Sequence, residues 1–172
     1  MGSIIGTLVS DRTLEDVRRR TTKGVYGVSD VNRVEGAVAY IAGLMVALPG
    51  ELRKYAQALG VDWNDLYDVP YDPGMFLLTT KSDWNELDIF DQADSDRYLG
   101  NVEALCRGLG CDAGDLPQSL DRLFYYDANA IEDCLRRASG LLAALTARLR
   151  KRLEAVVDMW PRSGEFYAGE MI

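Results

Sequence analysis

The sequence predicts an all-α fold: a helical bundle with one overlong C-terminal helix, an irregular connector containing Trp and Pro, and extended terminal tails. Three observations predict it. Apolar residues recur at steps of three and four along stretches beginning at Val31, Tyr98 and Ile131. A short acidic or amide side chain stands ahead of each stretch, where a helix start needs acceptors for unpaired backbone N–H groups. Only Met75-Phe76-Leu77-Leu78-Thr79-Thr80 reads as a strand, and it has no partner nearby.

The chain is expected to form one helical domain over 1–172, long enough to bury a sizeable core. Residues 1–10 read as an N-terminal tail, and residues 11–60 as helices with an αα-hairpin. Thr13 caps a short helix with Glu15 and Asp16 in its first turn, and Thr21-Thr22-Lys23-Gly24 stops it. Ser29 or Asp30 caps the clearest helix, whose stripe is Val31, Val34, Val38, Ile41, Met45 and Leu48. Gly36 and Gly43 lie on a neighbouring face, open to close approach of a second backbone. Pro49-Gly50 is expected to end this helix, and Glu51 to Leu59 to form the second arm of the hairpin.

Residues 61–94 form the irregular connector, broken by Pro70, Pro73 and Gly74. Residues 95–160 hold the remaining helices. One runs from about Ser95 to Leu109, and Leu116 to Phe124 holds a short helical piece. The last starts at Asp127 and carries Ile131, Leu135, Ala138, Leu142, Leu145, Leu149, Leu153, Val156 and Trp160 along one seam. Its length exceeds what a body of this size needs, so its distal half is expected to project toward a neighbour. Residues 161–172 form a C-terminal tail.

The starts Asp30-Val31-Asn32, Asp94-Ser95-Asp96 and Asp127-Ala128-Asn129 echo one another, as do Asp62-Trp63-Asn64 and Asp83-Trp84-Asn85. The first set reads as repeated capping and the second as two turns that each plant a Trp on the core. Asp30, Asn32, Trp63, Trp84, Arg97, Asn101 and Asn129 are the candidate structural residues.

A net charge of −8 and a pI near 4.6 argue against nucleic acid and acidic membrane surfaces as partners. There is no histidine, which removes the commonest general base and zinc ligand. Cys106, Cys111 and Cys134 lack metal-ligand spacing and read as buried free thiols of a reducing cytoplasm. No signal peptide is recognisable, and the longest uninterrupted apolar stretch, near Ala37 to Leu48, falls short of the roughly 20 residues of a membrane span. A soluble protein without membrane insertion is expected. The acids Asp83, Glu86, Asp88, Asp91, Asp94 and Asp96 lack the ligand order and central Gly of a calcium loop, and read as solvated capping groups. Gly108 and Gly110 do not follow a strand, and no serine sits in a nucleophile motif. No catalytic residue, metal or cofactor is expected. Arg148, Arg150, Lys151 and Arg152 form a basic stretch in an acidic chain, and with Trp160, Phe166 and Tyr167 are the candidate partner-binding residues.

Several motifs occur together in a fixed order: Asp11-Arg12-Thr13-Leu14-Glu15-Asp16-Val17, Lys23-Gly24-Val25-Tyr26, Asp30-Val31-Asn32-Arg33-Val34-Glu35, Lys81-Ser82-Asp83-Trp84, Arg97-Tyr98-Leu99-Gly100-Asn101-Val102, Asn129-Ala130-Ile131-Glu132 and Ser163-Gly164-Glu165-Phe166-Tyr167-Ala168-Gly169-Glu170. This order resembles that of small proteins encoded in the tail and baseplate region of phages and prophages of Gram-positive, often gut, bacteria. The basic stretch of the last helix and the Val61 to Pro73 segment depart from it. The resemblance implies a virion structural or adaptor subunit of a tail tip, baseplate or receptor-binding apparatus. It would be made in the host bacterial cytoplasm, with other virion tail and baseplate proteins as partners, in a homo-oligomer. Two other readings stand beside it. One is an acidic module that inhibits a basic protein partner; the other is a glycan or cell-wall hydrolase using a carboxylate pair between Asp83 and Asp96.

Overall fold

The computed structural model describes residues 4–61, 69–114 and 116–159, the last three for backbone alone. Trp63, Trp160, Phe166, Tyr167 and the C-terminal tail lie outside the described residues. Among the described residues there are four α-helices: α1 (Leu14–Arg18), α2 (Val28–Ala58), α3 (Gln92–Gly108) and α4 (Tyr125–Met159). Single 3-10 turns occupy Ile4–Thr7 and Pro73–Phe76. The described residues contain no strand, so the all-α class holds and Met75–Thr80 is extended chain following a turn.

All four helices begin with the same device. An Asp inside the first turn reaches back to the backbone N–H of the residue just before the helix. Asp16 accepts from Thr13 at 2.9 Å, Asp30 from Gly27 at 2.9 Å, Asp94 from Asp91 at 3.5 Å and Asp127 from Phe124 at 2.9 Å. Asp30, Asp94 and Asp127 therefore lie within their helices instead of capping them, and each helix starts earlier than the sequence suggests. A carboxylate in either position satisfies an orphan N–H and faces the positive end of the helix dipole.

Pro49 does not end α2, which runs on to Ala58 as one helix of 31 residues. The ring removes the N–H that would bond the carbonyl four residues earlier, at Met45. The Tyr71 hydroxyl supplies the missing donor to that carbonyl at 3.0 Å, from the far side of the connector. Burial pushes the Tyr71 phenol up to about 12, keeping it a proton donor. The expected αα-hairpin is thus absent, because a tertiary contact repairs the break.

The unbroken α2 also accounts for the length of α4. Arg33 pairs with Glu132 near the start of both helices, and Tyr55 donates to Glu154 near their ends. The same number of residues separates the two contacts on each helix, so α2 and α4 run parallel. At 1.5 Å per residue they extend about 46 and about 52 Å. Leu149, Leu153 and Val156, expected to project, are 4%, 1% and 8% exposed, and the first two share a core with Leu52 and Ala56. α3 points the same way: Arg97 meets Glu35 and Tyr98 meets Tyr26 near the start of α2, while Gly108 and Leu109 at its other end line a groove with Leu141, Ala144 and Leu145 farther along α4.

Three parallel neighbours need return paths. The connector runs back along α2 and α3, with Phe76 against Gly108, the Thr79 carbonyl accepting from Asn101, and Trp84 at Asn32. A side chain at 108 would collide with the Phe76 ring, whose Cζ lies 2.1 Å from where a Cβ would stand. Leu116–Phe124 forms the second return as turns, not helix, with Leu116, Leu120 and Leu123 packed on the core. Gly43 meets no backbone, and Gly36 faces the Ile4 side chain, so the expected close helix approach does not occur. Residues 4–10 are docked, not a loose tail: Leu8 is 3% exposed.

Candidate functional site

The polar centre of the molecule lies where α2, α3 and α4 begin. Arg12, 3% exposed, donates to Asp30 at 2.8 Å, to Glu132 at 2.6 Å and to the Val9 carbonyl. Arg33 bonds the same two carboxylates. Asn129 fixes the backbone of Arg12 at both ends, accepting from its N–H and donating to its carbonyl at 2.9 Å each. Glu132, fully buried, also accepts the Val9 N–H at 2.5 Å. Two cations and two carboxylates thus balance inside the fold and tie the N-terminal segment to both long helices. Tyr26 and Tyr98 share a hydroxyl contact beside this centre, and burial raises both phenols well above the ordinary range.

A second polar cluster joins the connector to α2 and α3. Arg97 contacts Glu35 at 2.6 Å, Asp94 at 3.3 Å and the Thr79 carbonyl at 3.2 Å. Burial raises the Glu35 carboxyl above its usual value, against the lowering effect of Arg97 and of the Lys81 N–H and Trp84 indole. Asn32 exchanges two hydrogen bonds of 2.8 Å with the Trp84 backbone, as an adjacent strand would. Lys81 sits 3.8 Å over the Trp84 ring and pairs with Asp88 at 3.1 Å. Asp88 is held below its usual range, first by the Asn85 N–H and then by Lys81.

The structure therefore places Asp30, Asn32, Trp84, Arg97, Asn101 and Asn129 in these two clusters. Arg12, Arg33, Glu35 and Glu132 share them without having been singled out in the sequence. Their signal was visible only as charge at helix positions that the apolar stripe also claims, such as Glu132 beside Ile131. Asp91 caps α3, Asp94 bonds back to it from the first turn, and Asp96 accepts from Gln92. Among the described residues no group of three potential ligands could hold a metal ion.

The basic stretch is spread over the outer face of α4. Arg148, Arg150, Lys151 and Arg152 are exposed, while Leu149 among them and Leu153 just after them are buried. Arg150 stacks 5.5 Å over the Tyr55 ring, whose hydroxyl reaches Glu154.

α2 carries an uncharged, partly exposed face. No charged residue occurs between Glu35 and Glu51, and Tyr40, Leu44 and Val46 are 44%, 43% and 36% exposed. An open groove of about 430 Å³ runs between this face and α4, past Tyr40, Leu44, Ala47, Ala143 and Ala147. On the other flank of α2, Val46 and Gly43 border a groove of about 300 Å³ beside Leu77, itself 75% exposed. By length and composition alone α2 is long and apolar enough to cross a membrane, although 44% of its most apolar window is buried in the body. Comparison with family models, curated proteins and solved structures finds no match to the chain.

Proposed function

We propose that the chain is a non-enzymatic structural or adaptor subunit that works through protein–protein contacts in an oligomer. The setting is the phage tail tip, baseplate or receptor-binding apparatus implied by the sequence resemblance. The observation that carries the reading is the uncharged exposed face of α2, with Tyr40, Leu44 and Val46 flanked by two apolar grooves. Contiguous apolar surface on a small protein marks a place where another molecule binds. The projecting helix no longer supports the reading, since the α4 seam is covered through Val156. The polar clusters support it differently: they hold the body in one shape, as a part that transmits contacts requires. Other tail proteins and further copies of the chain are the partners, without nucleic acid or membrane insertion. The protein is made in the host bacterial cytoplasm and resides in the virion.

Size-exclusion chromatography with light scattering, followed by mass spectrometry of purified particles, tests this. The expected result is a mass several times 19.1 kDa and the chain's presence in particles. Leu44→Glu should shift the mass toward that of one chain without changing the circular dichroism. A strictly monomeric protein missing from particles overturns the proposal.

A further inference from the structure

The connector makes a tight turn at residues 85–88, and Leu87 and Ile89 stand there 92% and 86% exposed. No other large hydrophobic side chain among the described residues reaches so far into solvent. The turn is nevertheless fixed. Asp88 accepts from the Asn85 N–H at 3.0 Å and from Lys81 at 3.1 Å, and the Asn85 side chain accepts from the Leu87 N–H at 3.0 Å. Behind it Phe90 packs on the Trp84 ring, with centroids 5.0 Å apart, and Asn32 clasps the Trp84 backbone. Single exposed aliphatic side chains are ordinary, but two on a loop already held in place bind at a small further cost in entropy. Six acids and no basic residue lie between Ser82 and Arg97, and Asp83, Glu86 and Asp91 among them are exposed.

The groove between α2 and α4 has the complementary character. Tyr40, Leu44, Ala47, Ala143 and Ala147 line it together with Arg150, and Lys151 continues the Ala147 face one turn on. Its one acid, Glu51, is already paired with Lys54 at 3.0 Å.

We propose that residues 85–91 of one copy of the chain seat in this groove on a second copy, with Leu87 and Ile89 against its apolar walls and the loop acids toward Arg150 and Lys151. The inference rests on the oligomer proposed above and supplies the occupant of its α2 face. The clasp at Asn32 keeps the loop from its own groove, since Leu44 lies about 18 Å farther along α2. The contact therefore runs from one copy to the next. Unlike surfaces joined in this way repeat head to tail, into a ring where the rotation closes and a filament where it does not. Charge sets the pairing: two acidic loops repel one another, as do two basic faces, while loop and groove attract.

The full-length chain is sized by chromatography with light scattering at low salt. The wild type should assemble, and the double variant Leu87→Ser, Ile89→Ser should run at the mass of one chain. Its circular dichroism should not change, because both side chains are almost fully exposed. Leu44→Glu, which spoils the groove, should also run as one chain. Mixing these two variants should give a pair of about twice 19.1 kDa, since one keeps a sound groove and the other a sound loop. Arg150→Glu, or about 0.5 M salt with the wild type, should weaken assembly severalfold. A loop variant that keeps the wild-type mass overturns the inference and leaves the oligomer standing. A mixture that stays at the mass of one chain, or assembly indifferent to Arg150→Glu and to salt, overturns it as well. A wild-type chain that is itself monomeric overturns both readings. The loop variant decides the matter even where Leu44→Glu fails to fold.

Discussion

Where α2, α3 and α4 begin, the buried Arg12, Asp30 and Glu132 and the partly exposed Arg33 form a balanced ionic cluster. Along the middle of the same helices, Val38, Ile41, Met45, Leu135, Ala138 and Leu142 meet as a plain apolar seam. The two regions do different work. Apolar contact supplies the folding free energy and tolerates sliding or inversion of one helix against another. A buried charge tolerates neither, since any other pairing leaves an ion without its partner. The ionic end therefore selects the parallel arrangement, and the middle stabilises whatever arrangement is selected. Parallel helices bring three positive dipole ends together, and the first-turn acids Asp30, Asp94 and Asp127 offset that concentration.

The sharpest way to break the contrast is to remove one carboxylate at the ionic end. Glu132→Ala strands two buried guanidinium groups on Asp30 and should cost about 3–5 kcal/mol, read from urea unfolding. A comparable loss from Leu142→Ser in the middle, with no change in which residues the N-terminal segment protects from hydrogen exchange, would fit the division. Loss of that protection in the middle variant alone would contradict it.

Next in size is the one polar repair within the apolar middle. Tyr71→Phe leaves the Met45 carbonyl unpaired and should cost about 1–3 kcal/mol. In a Pro49→Ala background the restored N–H takes over, and the same change should cost far less. A double-mutant cycle with no coupling between positions 49 and 71 would remove Tyr71 as the reason α2 continues.

Smaller again is Asp127→Ala, expected to lose about 0.3–1 kcal/mol, since this group is only half-buried and serves only the first turn of α4. The ionic end thus combines large and small contributions from residues of the same type, separated by burial.

Glu35→Gln should change stability at neutral pH least, but it alters the pH dependence. The folded carboxyl titrates above its unfolded value because of burial. The folded state then binds more protons in the window from the unfolded value, near 4.5, up to the raised folded one, so wild-type stability falls as pH rises through it. The variant lacks that fall, and its stability relative to wild type should increase over the same window. Asp88 acts with the opposite sign: its lowered carboxyl contributes stability that is lost on acidification below about 3.8. Thermal unfolding from about pH 2 to about pH 7 separates the two.

The helical class and the inward stripes are written in local sequence. Period and capping chemistry act within a few residues, so Val34, Val38, Tyr98, Val102, Ile131 and Leu135 declare their faces without help. What failed was local inference about events decided at a distance. Pro49 looks like a terminator because nothing near it can replace the lost hydrogen bond, and Tyr71 does so from 22 residues away. Once α2 was read as ending there, α4 had to look overlong. The length of one helix is justified only by that of its neighbour. Likewise Arg12, Glu35 and Glu132 look like surface charges in sequence and become the pins of the fold when partners up to 120 residues apart enclose them. Periodicity reports which side of a helix is apolar; only the assembled chain decides which charges lose their water and therefore which direction each helix must run.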